Sequence, residues 1–138
     1  MKRTVFITGA TSGIGKACAE KFAANGDNLI INGRRKERLA EIKKQLEENY
    51  NIEVFCTTFD VQIREDVFEN INNFPDKWKT IDILINNAGL ALGRDTFDNA
   101  DITDWETMLN TNVNGLIYVS KAVIPFMVKR NSGHIINL

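Results

Sequence analysis

The sequence predicts an α/β protein, a doubly wound parallel sheet of five strands in the order 3-2-1-4-5. Three observations predict it. Short apolar, β-branched runs alternate strictly with longer segments of helical periodicity along the 138 residues. A glycine-rich loop joins the first run to the first helical segment. Stop signals (Asn25-Gly26, Pro75 and Ser132-Gly133) punctuate the alternation. Strand–helix alternation calls for a parallel sheet with helices on both faces, and right-handed crossovers then make it doubly wound.

Thr4–Thr8 is apolar, bounded by glycine and too short for a helix, so it is the first strand. From Ile14 to about Ala24, the residues Ile14, Ala17, Cys18 and Phe22 mark a helical face, and Asn25-Gly26 supplies a left-handed stop. Leu29–Ile31 is the second strand. Lys36 to about Glu48 is helical, with Leu39, Ile42 and Leu46 inward. Ile52–Phe55 is the third strand, with an extension towards Phe59 left open.

Arg64–Phe74 forms a helix with Val67, Phe68 and Ile71 on one side, and Pro75 ends it. Ile81–Ile85 is the fourth strand, its apolar run broken only by Asp82. Ile102 to about Lys129 reads as one long helix capped by Thr103 or Asp104, with a kink or fresh turn at Pro125. His134–Leu138 is the fifth strand. With no repeat, low-complexity tract or linker, residues 1–138 are one domain.

Composition excludes several classes. A hydrophobic content of 43% and a charged content of 25% fit an ordinary globular domain. The net charge of −1 gives no global field for nucleic acid or a membrane surface. No apolar run approaches the ~20 residues that span a bilayer, and the start is too short in its apolar run for a signal peptide. The cytoplasm is the expected compartment. Cys18 and Cys56 form no CxxC, and His134 is the single histidine, so no metal site is expected. Both thiols are read as free and buried, His134 as structural, and Trp78, Trp105 and Met127 as packing residues.

The first chemical signal is Thr8-Gly9-Ala10-Thr11-Ser12-Gly13-Ile14-Gly15. It falls at the carboxyl end of a parallel strand, where such sheets bind ligands. Glycines let the backbone turn sharply and approach a pyrophosphate. The following helix offers unpaired N–H groups and its positive dipole end, and the Thr11 and Ser12 hydroxyls add donors.

The spacing TGxxxGxG resembles the short-chain dehydrogenase/reductase family, a Rossmann-type fold. Asp60-Val61, Asn86-Asn87-Ala88-Gly89 and Thr111-Asn112-Val113-Asn114-Gly115 match three further landmarks in order. The resemblance therefore runs over the whole chain. It implies that Asp60 accepts a hydrogen bond from an adenine amino group while Val61 lines the ring pocket. It also implies that Asn87, Ala88 and Gly89 lie beside the ribose.

Cofactor choice follows from charge. NAD-selective sheets carry an acidic residue at the end of strand two, ~20 residues past the glycines, for the ribose 2′-hydroxyl. Here that place reads Asn32-Gly33-Arg34-Arg35. No carboxylate repels a 2′-phosphate, and Arg34 and Arg35 can clamp one, so NADP is the expected cofactor.

The resemblance implies a catalytic tyrosine with a lysine four positions on, a serine that orients the carbonyl, and an asparagine holding a water in the proton relay. A tyrosine near its ordinary pKa of about 10 needs that neighbouring cation to serve near neutrality. Asn112 matches the asparagine. Tyr50 is followed by Val54 and Tyr118 by Ala122, so Tyr-x-x-x-Lys is absent from the 138 residues. The strand His134–Leu138 resembles the one leading to the family's serine, which places that serine past Leu138. The expectation is thus an NADP-binding domain lacking the C-terminal catalytic part, and inactive by itself. An apolar edge left after strand five predicts self-association through that edge or the long helix.

Within the family, residues 86–93 and Asp104-Trp105-Glu106-Thr107-Met108 look most like NADP-dependent 3-hydroxy acid (serine-type) dehydrogenases. That implies a hydride exchanged with a small hydroxy acid, alcohol or carbonyl, in a homo-oligomer without nucleic-acid or membrane partners. Two other readings stand beside it: a nucleotide-binding module without chemistry, and an inert fragment.

Overall fold

The structure, a computed structural model, describes residues 1–138. In chain order the strands are β1 (Thr4–Ile7), β2 (Asn28–Gly33), β3 (Val54–Thr58), β4 (Ile83–Asn86) and β5 (His134–Asn137). The helices are α1 (Gly13–Ala24), α2 (Lys36–Asn49), α3 (Arg64–Asn72), α4 (Ile102–Leu109) and α5 (Gly115–Arg130). All strand pairs are parallel, in the expected order β3-β2-β1-β4-β5.

Strand periodicity divides the core between the two faces. Val5, Ile7, Leu29, Ile31, Ile83 and Ile85 point to the face covered by α1 and α2. Phe6, Ile30 and Leu84 point to the other, where α3 and α5 contribute Val67, Ile71, Val119 and Val123. The register sets these rows side by side: Phe6 pairs with Ile30 on one flank and Leu84 on the other.

Several elements depart from the sequence reading. The buried face of α1 is Gly15, Ala19 and Ala23, with Cys18 and Phe22 half-buried, while Ile14 and Ala17 are exposed. Small residues let this helix lie close to the sheet, and that outweighs the larger apolar side chains. β3 starts at Val54, because Ile52 packs into the core from the preceding loop. A short 3₁₀ turn at Asp76–Lys79, not foreseen, buries Trp78. The expected long helix is interrupted by a π turn at Asn110–Asn114, whereas α5 runs on through Pro125. The start of α4 is capped by Asp101, whose carboxylate accepts from the Thr103 N–H at 2.8 Å, not by Thr103 or Asp104. Cys18 and Cys56 are free but half-buried, and burial pushes the Cys56 thiol up.

Asp82 is accounted for by packing of its carboxylate. It accepts from the Thr4 N–H at 2.8 Å and pairs with Arg130 at 2.6 Å, tying the end of α5 to the start of β1. At the same end of the sheet Asp27 is buried and holds Arg3 through two hydrogen bonds of 2.9 and 2.8 Å. Burial pushes the Asp27 carboxyl up. Hydrogen bonds from Arg3 and Asn25, with the Arg3 charge, outweigh this and hold it below the usual carboxylate range. No helix is long and apolar enough to cross a membrane.

Candidate functional site

At the carboxyl ends of β1, β2, β3 and β4 lies a cleft of about 570 Å³. Its floor is the loop after β1. Gly9 (φ +63°) and Gly13 (φ +56°) both adopt left-handed backbone that a side chain disfavours. A Cβ on Gly9 would stand 2.9 Å from the Ala88 Cα, so the two loops touch there. Around Gly13 there is open space. Gly15 does not itself line the cleft but lies directly behind two residues that do: a Cβ there would overlap the Gly9 carbonyl and the Asn87 carboxamide. It serves the packing of α1 against its own loop.

The loop is held by its neighbours. Thr8 Oγ1 accepts from the N–H groups of Asn87 (3.1 Å) and Ala88 (3.0 Å). The Asn87 carboxamide donates to the carbonyls of Thr8 (3.1 Å) and Gly9 (3.0 Å). Asn87 therefore both lines the cleft and fixes the shape of the glycine loop.

The charge at the floor is positive. α1 has no acidic residue in its first turn, and Ser12 makes no side-chain cap. Its first N–H groups are thus free of intrahelical acceptors and side-chain competitors. Arg34 and Arg35, exposed at the mouth, line the side wall. Arg35 reaches Thr11 Oγ1 at 3.4 Å, and Arg38 donates through Nε to the Thr11 carbonyl at 2.7 Å.

The far wall comes from the segment after β3. Asp60 accepts the Gln62 N–H at 3.0 Å, a turn that presents Val61 to the cleft. Asn32, buried at the end of β2, donates to the carbonyls of Thr57 and Phe59 and so secures this segment.

Asn112 does not line the cleft. It sits in the π turn, exposed, with its carboxamide paired to the main chain of Leu90, which does line it. The structure thus brings together Gly9, Thr11, Ser12, Gly13, Ile14, Arg34, Arg35, Asp60, Val61, Asn87, Ala88 and Gly89, and leaves Gly15 and Asn112 outside the cleft lining. Sequence reasoning missed Asn32, Gly33, Phe59, Gln62, Leu90 and Thr111 as lining residues, and Arg38 as a support. Thr111 opens the motif already singled out around Asn112. Arg38 follows Arg35 by three positions, one helical turn, and that spacing was a usable signal.

Residues 3–138 match the family model described as short chain dehydrogenase. The NADP-dependent 3-hydroxy acid dehydrogenase YdfG of Salmonella typhi is 48% identical over 134 residues, 97% of this chain and 52% of that protein. The crystal structure of serine dehydrogenase from Escherichia coli has a TM-score of 0.89 at 46% identity, covering 97% of this chain and 60% of that one. A closed form of serine dehydrogenase complexed with NADP+ gives 0.90 at 46%, over 97% and 52%. The chain spans about half the length of the curated relatives it matches.

Proposed function

Because the chain belongs to the short-chain dehydrogenase family, we propose that its cleft binds NADP(H) and that the whole protein is an oxidoreductase. Its substrate is a small hydroxy acid, with alcohols and carbonyls as the wider class. One observation carries the cofactor reading. The wall beyond β2 presents Arg34 and Arg35, with no carboxylate at the strand end where an NAD-selective sheet needs one.

The cleft fits the group. The left-handed glycines admit a pyrophosphate to the backbone, and the start of α1 supplies uncompensated N–H donors. Arg34 and Arg35 suit a 2′-phosphate by charge-assisted hydrogen bonds. Asp60 and Val61 suit an adenine, the first as acceptor and the second as an apolar wall. Asn87, Ala88 and Gly89 bound the middle of the cleft. When bound, the nicotinamide supplies hydride transfer to or from a carbon bearing oxygen.

Asn112 is the chain's candidate for the proton relay. Its carboxamide is committed to Leu90, so its part there falls to the main chain of the π turn, where regular helical pairing is interrupted. The substrate class rests on the relatives, which are named for 3-hydroxy acids and serine.

A nucleotide-binding role without turnover is the second reading. The glycine loop and the start of α1, which suit a nucleotide's phosphates, support it by themselves. The homo-oligomer reading draws on Leu109, Val113, Ile117, Ile124 and Val128, exposed apolar residues along α4, the π turn and α5.

Calorimetric titration of the chain with NADP+ and with NAD+ tests the cofactor reading. Tighter binding of NADP+ by tenfold or more is expected, from one or two charge-assisted bonds. Equal affinities would sink it.

A further inference from the structure

We propose that Thr111 is a further recognition residue of the cleft, its hydroxyl hydrogen-bonding the adenosine end of the bound dinucleotide. This rests on the cofactor reading above.

Thr111 is 6% exposed, and its Oγ1 finds no hydrogen-bond partner among the protein's own groups. A buried hydroxyl left so is unfavourable. A threonine inside a helix ordinarily satisfies itself by donating to the carbonyl four residues back. Thr107 does this, reaching the Thr103 carbonyl at 2.8 Å. Thr111, one turn later, falls in the π turn and does not.

Position gives the hydroxyl its purpose. Among residues 101–130, Thr111 alone lines the cleft. Its neighbours in the chain turn elsewhere, Asn112 to Leu90 and Asn114 to Asn110. One turn further on, a Cβ on Gly115 would stand 2.6 Å from Val61 Cγ2, so the start of α5 presses on the residue read as the adenine wall. That contact assigns Thr111 to the adenosine end, beside the adenine wall. A hydroxyl both donates and accepts, which suits a ring nitrogen, an exocyclic amine or a ribose hydroxyl, and not a phosphate that already has cations. The second buried oxygen without a partner, Asn86 Oδ1, belongs to a side chain bonded through Nδ2 to Ser120 and Asn137, and it does not line the cleft.

The test compares Thr111→Val, which keeps the shape, with Thr111→Ser, which keeps the hydroxyl. Titration calorimetry uses NADP+, adenosine 2′,5′-bisphosphate and nicotinamide mononucleotide as probes, alongside the thermal midpoint of the ligand-free chain. Thr111→Val should weaken NADP+ and the bisphosphate equally, by about fivefold, the worth of one neutral hydrogen bond. The mononucleotide should be unaffected and the ligand-free midpoint unchanged or raised. Thr111→Ser should stay within about twofold of the original chain. Unchanged affinities in Thr111→Val overturn the proposal, as does weaker binding accompanied by a lower ligand-free midpoint. Weakening confined to NADP+ overturns the adenosine assignment. If the unsubstituted chain binds neither NADP+ nor the bisphosphate, the cofactor reading itself fails and takes this proposal with it.

Discussion

Asn112 and Leu90 are paired like residues of adjacent strands: Asn112 Oδ1 accepts the Leu90 N–H at 2.8 Å, and Nδ2 donates to the Leu90 carbonyl at 2.8 Å. One side chain in an interrupted helix thereby fixes the main chain that leaves β4 along the cleft. Gly89 makes room for it, since a Cβ there would lie 3.0 Å from Asn112 Oδ1. Asn112→Ala should release this segment at a cost of about 1–2 kcal/mol for two partly exposed hydrogen bonds. Hydrogen exchange is the measurement, with the Leu90 amide losing protection first. Unaltered protection at Leu90 would show that the pairing does not hold the segment in solution.

Arg34→Glu and Arg35→Glu should invert cofactor preference. Each change removes a cation suited to the 2′-phosphate and adds a carboxylate that repels it but accepts from a 2′-hydroxyl. Affinity for NADP+ should fall by about tenfold to a hundredfold per arginine, with NAD+ held or improved. A parallel loss for both nucleotides would point to damage to the glycine loop, which Arg35 touches through Thr11.

The two left-handed glycines differ in surroundings, and their alanine variants should differ too. At Gly13 the added Cβ meets nothing within 4 Å, so the cost is backbone strain of about 1–2 kcal/mol. At Gly9 the same strain is compounded by overlap with the Ala88 backbone at 2.9 Å. Chemical denaturation should rank Gly9→Ala clearly below Gly13→Ala in stability. The reverse order would mean that the contact between the loops relaxes easily.

Asp27 confers an acid dependence on stability. Its carboxyl is held below the usual range when folded, so protons bind more tightly to the unfolded chain. The contribution is complete above the ordinary aspartate value of about 4 and is lost as pH falls through the lower folded value. Asp27→Asn should lower stability at neutral pH and make its decline below pH ~4 shallower. Denaturation midpoints from pH ~2 to ~7 would show it; identical pH profiles for the two chains would remove Asp27 from the account.

Self-association should depend on the apolar residues of α4 and α5. Ile117 and Val128, 52% and 71% exposed, are the residues to change. Ile117→Asp with Val128→Asp should shift sedimentation towards monomer, because charge in an apolar contact is costly. A chain that sediments as a monomer before any substitution would defeat the oligomer reading.

The fold was legible because β1, β2 and β4 are buried on both faces, so each reads as a continuous apolar run between turn signals. The π turn was not. Inserting one residue leaves a helical pattern on either side, and the residues 110–114 are polar enough to pass for one exposed turn. The α1 face was misread because small residues were chosen for proximity and not for hydrophobic area. Within the cleft, glycines and charges announced themselves by type and spacing. Thr111 and Asn32 did not, since a threonine or asparagine looks alike whether it faces a ligand, a carbonyl or solvent. Only the three-dimensional inventory of partners separates these cases.

The Asn87 carboxamide reaches Thr8 and Gly9 across separations of 79 and 78 residues. The binding loop is therefore written near the start of the chain but finished only when β4 has docked. A growing chain that has made β1, α1 and β2 carries every glycine of the loop without the clasp that shapes it. Ligand affinity should arise late in folding, in one step with the closing of the sheet's centre, so that nucleotide binding reports on a completed sheet and discriminates against every earlier intermediate.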